Sequence, residues 1–163
     1  MRKKNAKRKH FIAPYTDDTA PEEDAWLPLA KDVETIEDDS DEDTDDYGDY
    51  AGDGTAQTIL NGRKEVWNFS GYYNADDKAQ VLLAGMRRET NDEKRKVWHK
   101  IVETDGSTVI GVAKAMEIKA GGGDATSYED FEGHLDYVAT PTVTVPDATA
   151  PVDDGTGSEQ TGQ

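Results

Sequence analysis

The sequence predicts a mainly β fold: an antiparallel β-sandwich or barrel with one flanking α-helix. Three observations carry this. Aromatic and β-branched residues alternate with polar ones from Gln57 to Tyr73, from Val97 to Lys119 and from Asp130 to Tyr137, as a pleated half-buried surface requires. Turn chemistry punctuates those runs at Gly52-Asp53-Gly54, Asp105-Gly106 and Gly121-Gly122-Gly123, and Asp-Gly is the strongest short-range hairpin signal. Apolar residues fall at helical spacing in one place, Ala79, Leu82, Leu83 and Met86, which is the stripe of a single amphipathic helix.

In chain order, residues 1–10 form a basic arm with six lysines and arginines plus His10. Its expected states are a solvated arm or one docked on an acidic surface, with Lys3, Lys4, Lys7, Arg8 and Lys9 as the contact residues. A single domain is expected over 11–138. After a polar connector, Leu27, Leu29, Val33 and Thr35 alternate as a half-buried strand interrupted at Pro28. A long acidic loop at about 38–56 follows, and the chain returns in one strand, about Gln57 to Tyr73, with Trp67 and Phe69 facing the helix. Asn74 to Asp77 supply helix caps, and the helix is expected over Asp76 to Arg88.

Val97–Val102 is apolar on both faces, as in a covered strand. Its hairpin partner, Thr108 to Lys119, places Ile110, Val112, Met116 and Ile118 on one face and Gly111, Ala113 and Ala115 on the other. Phe131, Leu135 and Tyr137 mark a last strand. From 139 to 163, Thr, Pro, Gly, Ala and Asp dominate without periodicity, so a flexible C-terminal tail is expected.

Charge and composition exclude several functions. The net charge of −17 opposes general affinity for nucleic-acid phosphates. Without cysteine, disulfides, thiolate nucleophiles and thiolate-bound metals are ruled out. No apolar run approaches the roughly 20 residues of a membrane helix. Only Phe11-Ile12-Ala13 follows the basic start before Pro14, so the apolar stretch of a secretion signal is missing and synthesis in a cytoplasm is expected. No HExxH, serine elbow or phosphate-loop motif occurs, and neither catalysis nor a cofactor is expected.

Ten of the seventeen residues from Glu37 to Asp53 are acidic, and none is basic. An EF-hand register starting at Asp39 puts Thr44 where glycine is needed and Tyr50 where the bidentate glutamate is needed; starting at Asp41 also fails. Self-repulsion makes the run a solvated loop unless another chain receives it. Its candidate assembly residues are Asp39, Asp41, Glu42, Asp43, Asp45, Asp46, Tyr47, Asp49, Tyr50 and Asp53. An acidic cation-binding or DNA-mimic module is the alternative reading of the same charge.

Several separated blocks resemble one family: Val33 to Asp46 with Tyr50-Ala51-Gly52-Asp53-Gly54, Lys7 to Pro14, Arg95-Lys96-Val97-Trp98, and Ile118 to Ala125. Together they look like the major tail (tail tube) protein of long, non-contractile-tailed bacteriophages of Gram-positive hosts. The resemblance implies the β-sandwich fold shared with type VI secretion tube proteins. It also implies homohexameric rings that stack into a virion tail tube, an inter-ring role for the acidic run, and a lumen that DNA crosses without specific binding. A tape measure protein inside, and terminator and distal tail proteins at the ends, are the implied partners.

Overall fold

The computed structural model describes residues 1–146. Its strands are β1 (Lys9–Pro14), β2 (Leu27–Pro28), β3 (Val33–Asp38), β4 (Asp41–Tyr47), β5 (Gln57–Lys64), β6 (Val66–Tyr72), β7 (Lys96–Val102), β8 (Thr108–Ala120), β9 (Asp130–Tyr137) and β10 (Thr142–Thr144), with one helix, α1 (Lys78–Ala84). The main sheet runs β2-β1-β7-β8-β9-β6-β3, with β10 beside β8, while β4 and β5 form a separate two-stranded ribbon. Every pairing is antiparallel. The sheet curls into a half-barrel, so the expected mainly β architecture with one helix is what the chain adopts.

The concave side holds the core. Ile12, Leu83, Val97, Ile101, Phe131 and Leu135 are essentially fully buried there, joined by Trp67, Phe69 and Ile118. Helix α1 contributes Ala79 and Leu83, with Leu82 and Met86 packed at the margin. Asp77 caps it by accepting from the Gln80 backbone N–H at 3.2 Å. The helix ends at Ala84, ahead of Gly85, and is therefore shorter than the apolar spacing predicts. Arg87 lies beyond it and donates to the Ala120 carbonyl. Gln80 is fully buried and saturated: its amide accepts from Asn74 N–H at 2.7 Å and donates to Lys31 O at 3.0 Å and Tyr72 O at 3.1 Å.

Several expectations are corrected. The acidic run is not a loop: Asp41–Tyr47 pairs with Gln57–Lys64, and all fifteen of these residues are exposed. The expected return strand is two strands, β5 and β6, parted at Glu65 and belonging to different sheets. Mutual repulsion did not prevent strand pairing because Arg63 and Lys64 face Glu42 and Asp41 across the base, while the outward carboxylates stay in water.

Of the two faces of β8, the small one turns to the core. Val109, Gly111, Ala113 and Ala115 face the core, whereas Ile110, Val112 and Met116 are half-exposed. A Cβ on Gly111 would meet the Tyr137 ring at 2.8 Å, so bulk there is excluded and the small face turns inward. Ile118 nevertheless reaches the core, because an irregularity between Met116 and Lys119, with Glu117 at φ 51°, shifts the alternation by one residue.

The basic arm is folded from Lys9 onward, since β1 pairs along its whole length with β7 and buries His10. The domain also continues past 138: Thr142–Thr144 pairs with Thr108–Ile110. The rest of the expected tail, 147–163, lies outside the described residues.

Candidate assembly surface

Two features project from this frame: a polar sheet face with open borders, and the ribbon. The face belongs to β3, β6, β9 and the second half of β8. Alternation puts Asn68 and Ser70 of β6 beside His134 and Glu132 of β9, with Glu37 and Thr35 of β3 on one flank and Lys119 of β8 on the other. These side chains line a shallow depression. Lys119 Nζ lies 3.1 Å from Glu132 Oε1, and His134 is held between Glu117, at 3.1 Å from Nε2, and Asp136 on Nδ1.

Among the described residues, both borders of this four-stranded region lack a strand. β3 pairs with β6 alone. β8 pairs with β7 only as far as Lys114, so Ala115–Ala120 has no strand on that side. There two arginines cover the carbonyls: Arg95 donates to Ala115 O at 3.1 Å and Arg87 to Ala120 O. Neither border is visible in the residue pattern, because an edge is a property of the neighbours a strand fails to have. The polar face could have been found, since Asn68 and Ser70, and Glu132, His134 and Asp136, recur with period two.

The ribbon gathers every acidic residue singled out between Asp41 and Asp53, together with Tyr47 and Tyr50, on one exposed projection. Asp39 stays at its root, donating its N–H to Val66 O at 2.9 Å, and Ser40 Oγ accepts from Val66 N–H at 3.2 Å. Asp45 accepts from Asn61 at 2.9 Å and Asp46 from Thr58 at 3.1 Å, so cross-strand bonds hold the outer half. Tyr47, Ile59 and Leu60 add exposed apolar surface. Near the root, partial burial acts to raise the Asp38 carboxyl, but the Ser40 hydrogen bonds and the Arg63 and Arg8 charges outweigh it and hold it below its ordinary value.

The arm does not reach those carboxylates within one chain. Arg8 Nε pairs with Glu103 at 2.6 Å and Lys3 Nζ donates to Thr104 O at 2.7 Å, so the arm lies on the β7–β8 turn. Lys9 turns back to Ala6 O at 2.9 Å, and Lys4 and Lys7 are exposed. Among the described residues, no group of three or more His, Asp or Glu side chains is arranged to hold a metal ion, and no helix is long and apolar enough to cross a membrane.

No protein-family model matches the sequence, and no curated protein matches it. Solved structures do resemble the fold. A chain in the tail of an empty gene transfer agent particle, obtained by helical refinement with C6 symmetry, aligns with a TM-score of 0.66 at 11% identity, covering 88% of this chain and 100% of that one. A chain of the native gene transfer agent virion aligns with a TM-score of 0.65 at 10% identity and the same coverage. This chain therefore has the fold of those particle components.

Proposed function

We propose that the chain is the tube-forming subunit of a phage-like tail. Six copies close into a ring, and rings stack into a conduit that DNA crosses on its way into a host cell. The observation that carries the reading is the pair of open borders. The free edge of β3 and the edge of β8 at Ala115–Ala120, capped by two arginine side chains and not by a strand, flank the same four-stranded, polar-faced region. Main-chain pairing of one copy's β3 with the next copy's β8 makes a heterologous contact, and such contacts generate rings when their rotation closes. Two chains of the same fold, from gene transfer agent particles, support the reading, one of them in a tail of C6 symmetry.

In that ring Glu37, Glu132 and Asp136 face the bore with Asn68 and Ser70, and Lys119 on the same face is paired with Glu132, so phosphates meet mainly carboxylates and small neutral groups. The ribbon reaches a neighbouring copy, where the exposed lysines of the arm are its partners. Other proteins set the length and close the ends of the tube, as in long non-contractile tails.

The chain has no cysteine, so a cross-link test has no background. The double variant Thr35→Cys, Lys119→Cys, oxidised after assembly, is expected to give a ladder of linked chains ending at six on a non-reducing gel. Assembled material that stays monomeric on the gel overturns the β3–β8 contact. Absence of rings or tubes from the purified chain under any assembling condition overturns the function.

A further inference from the structure

Away from the polar face and the ribbon, three titratable rings meet in the core. His10 of β1 and His99 of β7 stack with centroids 5.4 Å apart and planes 12° apart. His10 Nδ1 lies 3.2 Å from His99 Nε2, and His99 Nδ1 lies 2.7 Å from the Tyr137 hydroxyl. Both histidines are buried, His99 almost completely, and Trp67 closes over them with its ring 5.1 Å from His10. The sequence pattern puts His10 in the basic arm and shows no sign of its burial, and nothing in the assembly reading uses this chain of contacts.

The hydrogen-bond inventory fixes how protons are placed. With Tyr137 donating to His99 Nδ1, His99 Nε2–H donates to His10 Nδ1, and no hydroxyl proton is stranded. The reverse order leaves the buried Tyr137 O–H without an acceptor. In the favoured arrangement, each ring nitrogen in the chain is already committed. A further proton on His10 Nδ1 would point two N–H groups at each other. On His99 Nδ1 it would make a fully buried imidazolium.

The surrounding charges do not rescue that cation. Arg8 approaches His10 from the arm and opposes its protonation, while Glu65 and Glu103 act on Tyr137. Among the described residues, no carboxylate hydrogen-bonds to either ring. Burial, with Arg8 adding to it, lowers the His10 imidazole from 6.5 to about 4; burial, with His10 adding to it, holds His99 well below its ordinary value. Burial also raises the Tyr137 phenol.

We propose that His10, His99 and Tyr137 form an acid-operated latch. Protonation of the histidine pair frees β1, and with it the basic arm 1–8, from β7, while the β6–β9 half of the sheet stays folded. Strand β1 is suited to this, because its other neighbour, β2, spans only Leu27–Pro28. The rest of its anchorage is the buried pair Ile12 and Ala13, the Leu29 N–H bond to His10 O, the Arg8–Glu103 pair and the Lys3 contact at its start.

The test is amide exchange of the full chain by NMR from pH 7 to pH 5, with rates divided by intrinsic exchange at each pH. Release of a histidine to its ordinary pKa raises the opening equilibrium by about 25-fold over that interval, and release of the pair by several hundred-fold. That increase is expected in β1 amides and not in β6 or β9. His10→Gln keeps an acceptor for His99 and is expected to cut the pH response to about 25-fold, whereas His134→Gln leaves it intact. Ring-carbon titration of the unaltered chain is a second measurement, expected to show both buried rings neutral at pH 6. The latch is overturned if those rings titrate near 6.5 with β1 protected, if corrected β1 exchange is independent of pH, or if β9 opens in step with β1.

Discussion

The ribbon separates folding from assembly in one excision. Asp39 and Val66 are hydrogen-bonded neighbours at its root, and Ser40 and Glu65 each serve the main sheet through Val66 N–H and Tyr137 N–H. Replacing Asp41–Lys64 with Asn-Gly, between Ser40 and Glu65, therefore turns β3 and β6 into a hairpin with a four-residue loop. The excised segment includes no buried side chain. Its ties to the body are ion pairs made by the exposed Lys64 and Arg63 to half-buried carboxylates, chiefly Lys64–Asp136 at 2.9 Å and Arg63–Glu65 at 3.8 Å, and pairs open to solvent on one side contribute about 0–1 kcal/mol each. Excision also removes seven carboxylates and two cations, taking the net charge from −17 to −12 and relieving self-repulsion. The expected result is a soluble, folded chain whose stability changes by about 1 kcal/mol or less, and which forms no stacked tubes. Circular dichroism melts, sedimentation and negative-stain microscopy of the two chains side by side decide it. Normal tubes from the shortened chain refute the assembly role; loss of the folded state refutes the claim that the ribbon is energetically separate from the sheet.

Further outcomes follow from the core. Trp67→Ala removes the ring over His10 and the Trp67–Glu65 hydrogen bond, and should cost about 3–5 kcal/mol in denaturant unfolding; an unchanged midpoint would contradict its burial. Gly71→Ala would press a methyl group into the Asp32 carbonyl and 2.8 Å from Val33 Cα, so a loss of about 1–3 kcal/mol is expected, with an unshifted melt as the contrary result. Because the folded state depresses His10, the unfolded chain binds its proton first as pH falls. The stabilising contribution is complete above 6.5 and is lost as pH falls through about 4, amounting to about 3 kcal/mol across the window. Urea midpoints measured from pH 7.5 to 4 should decline accordingly, and His10→Gln should flatten that decline.

Periodicity and turn chemistry made most of the sheet legible: β6, β7, β8 and β9 and the single helix stand where the alternation and the apolar spacing put them. Three things were hidden for physical reasons. β1 carries only three apolar residues between a basic arm and Pro14, so its pairing with β7 leaves little local trace. The ribbon defied a charge argument that treats carboxylates as neighbours in space, although strand pleating sends successive side chains to opposite faces and water solvates both. Alternation shows the two faces of β8 but not which one the core takes; close approach of the Tyr137 ring to Gly111 selects the small face. The candidate surface was half legible: its acidic residues were named from the sequence, but its open borders depend on which strands end where.

The bulge at Glu117 bears on how such a chain can vary in length. With one residue out of step between Met116 and Lys119, Ala115 and Ile118 both point inward although three positions apart. A deletion or insertion of a single residue here would turn Ile118 and everything after it in β8 inside out, and would slide β9 against its partner. The ribbon has no such accounting, because neither of its faces is committed to the core. Natural relatives should accordingly differ freely in the number of residues between Asp41 and Lys64, and should keep the spacing from Gly111 to Ala120 constant. Comparing lengths, with no regard to residue identity, would then be enough to locate both the rigid frame and its adjustable projection.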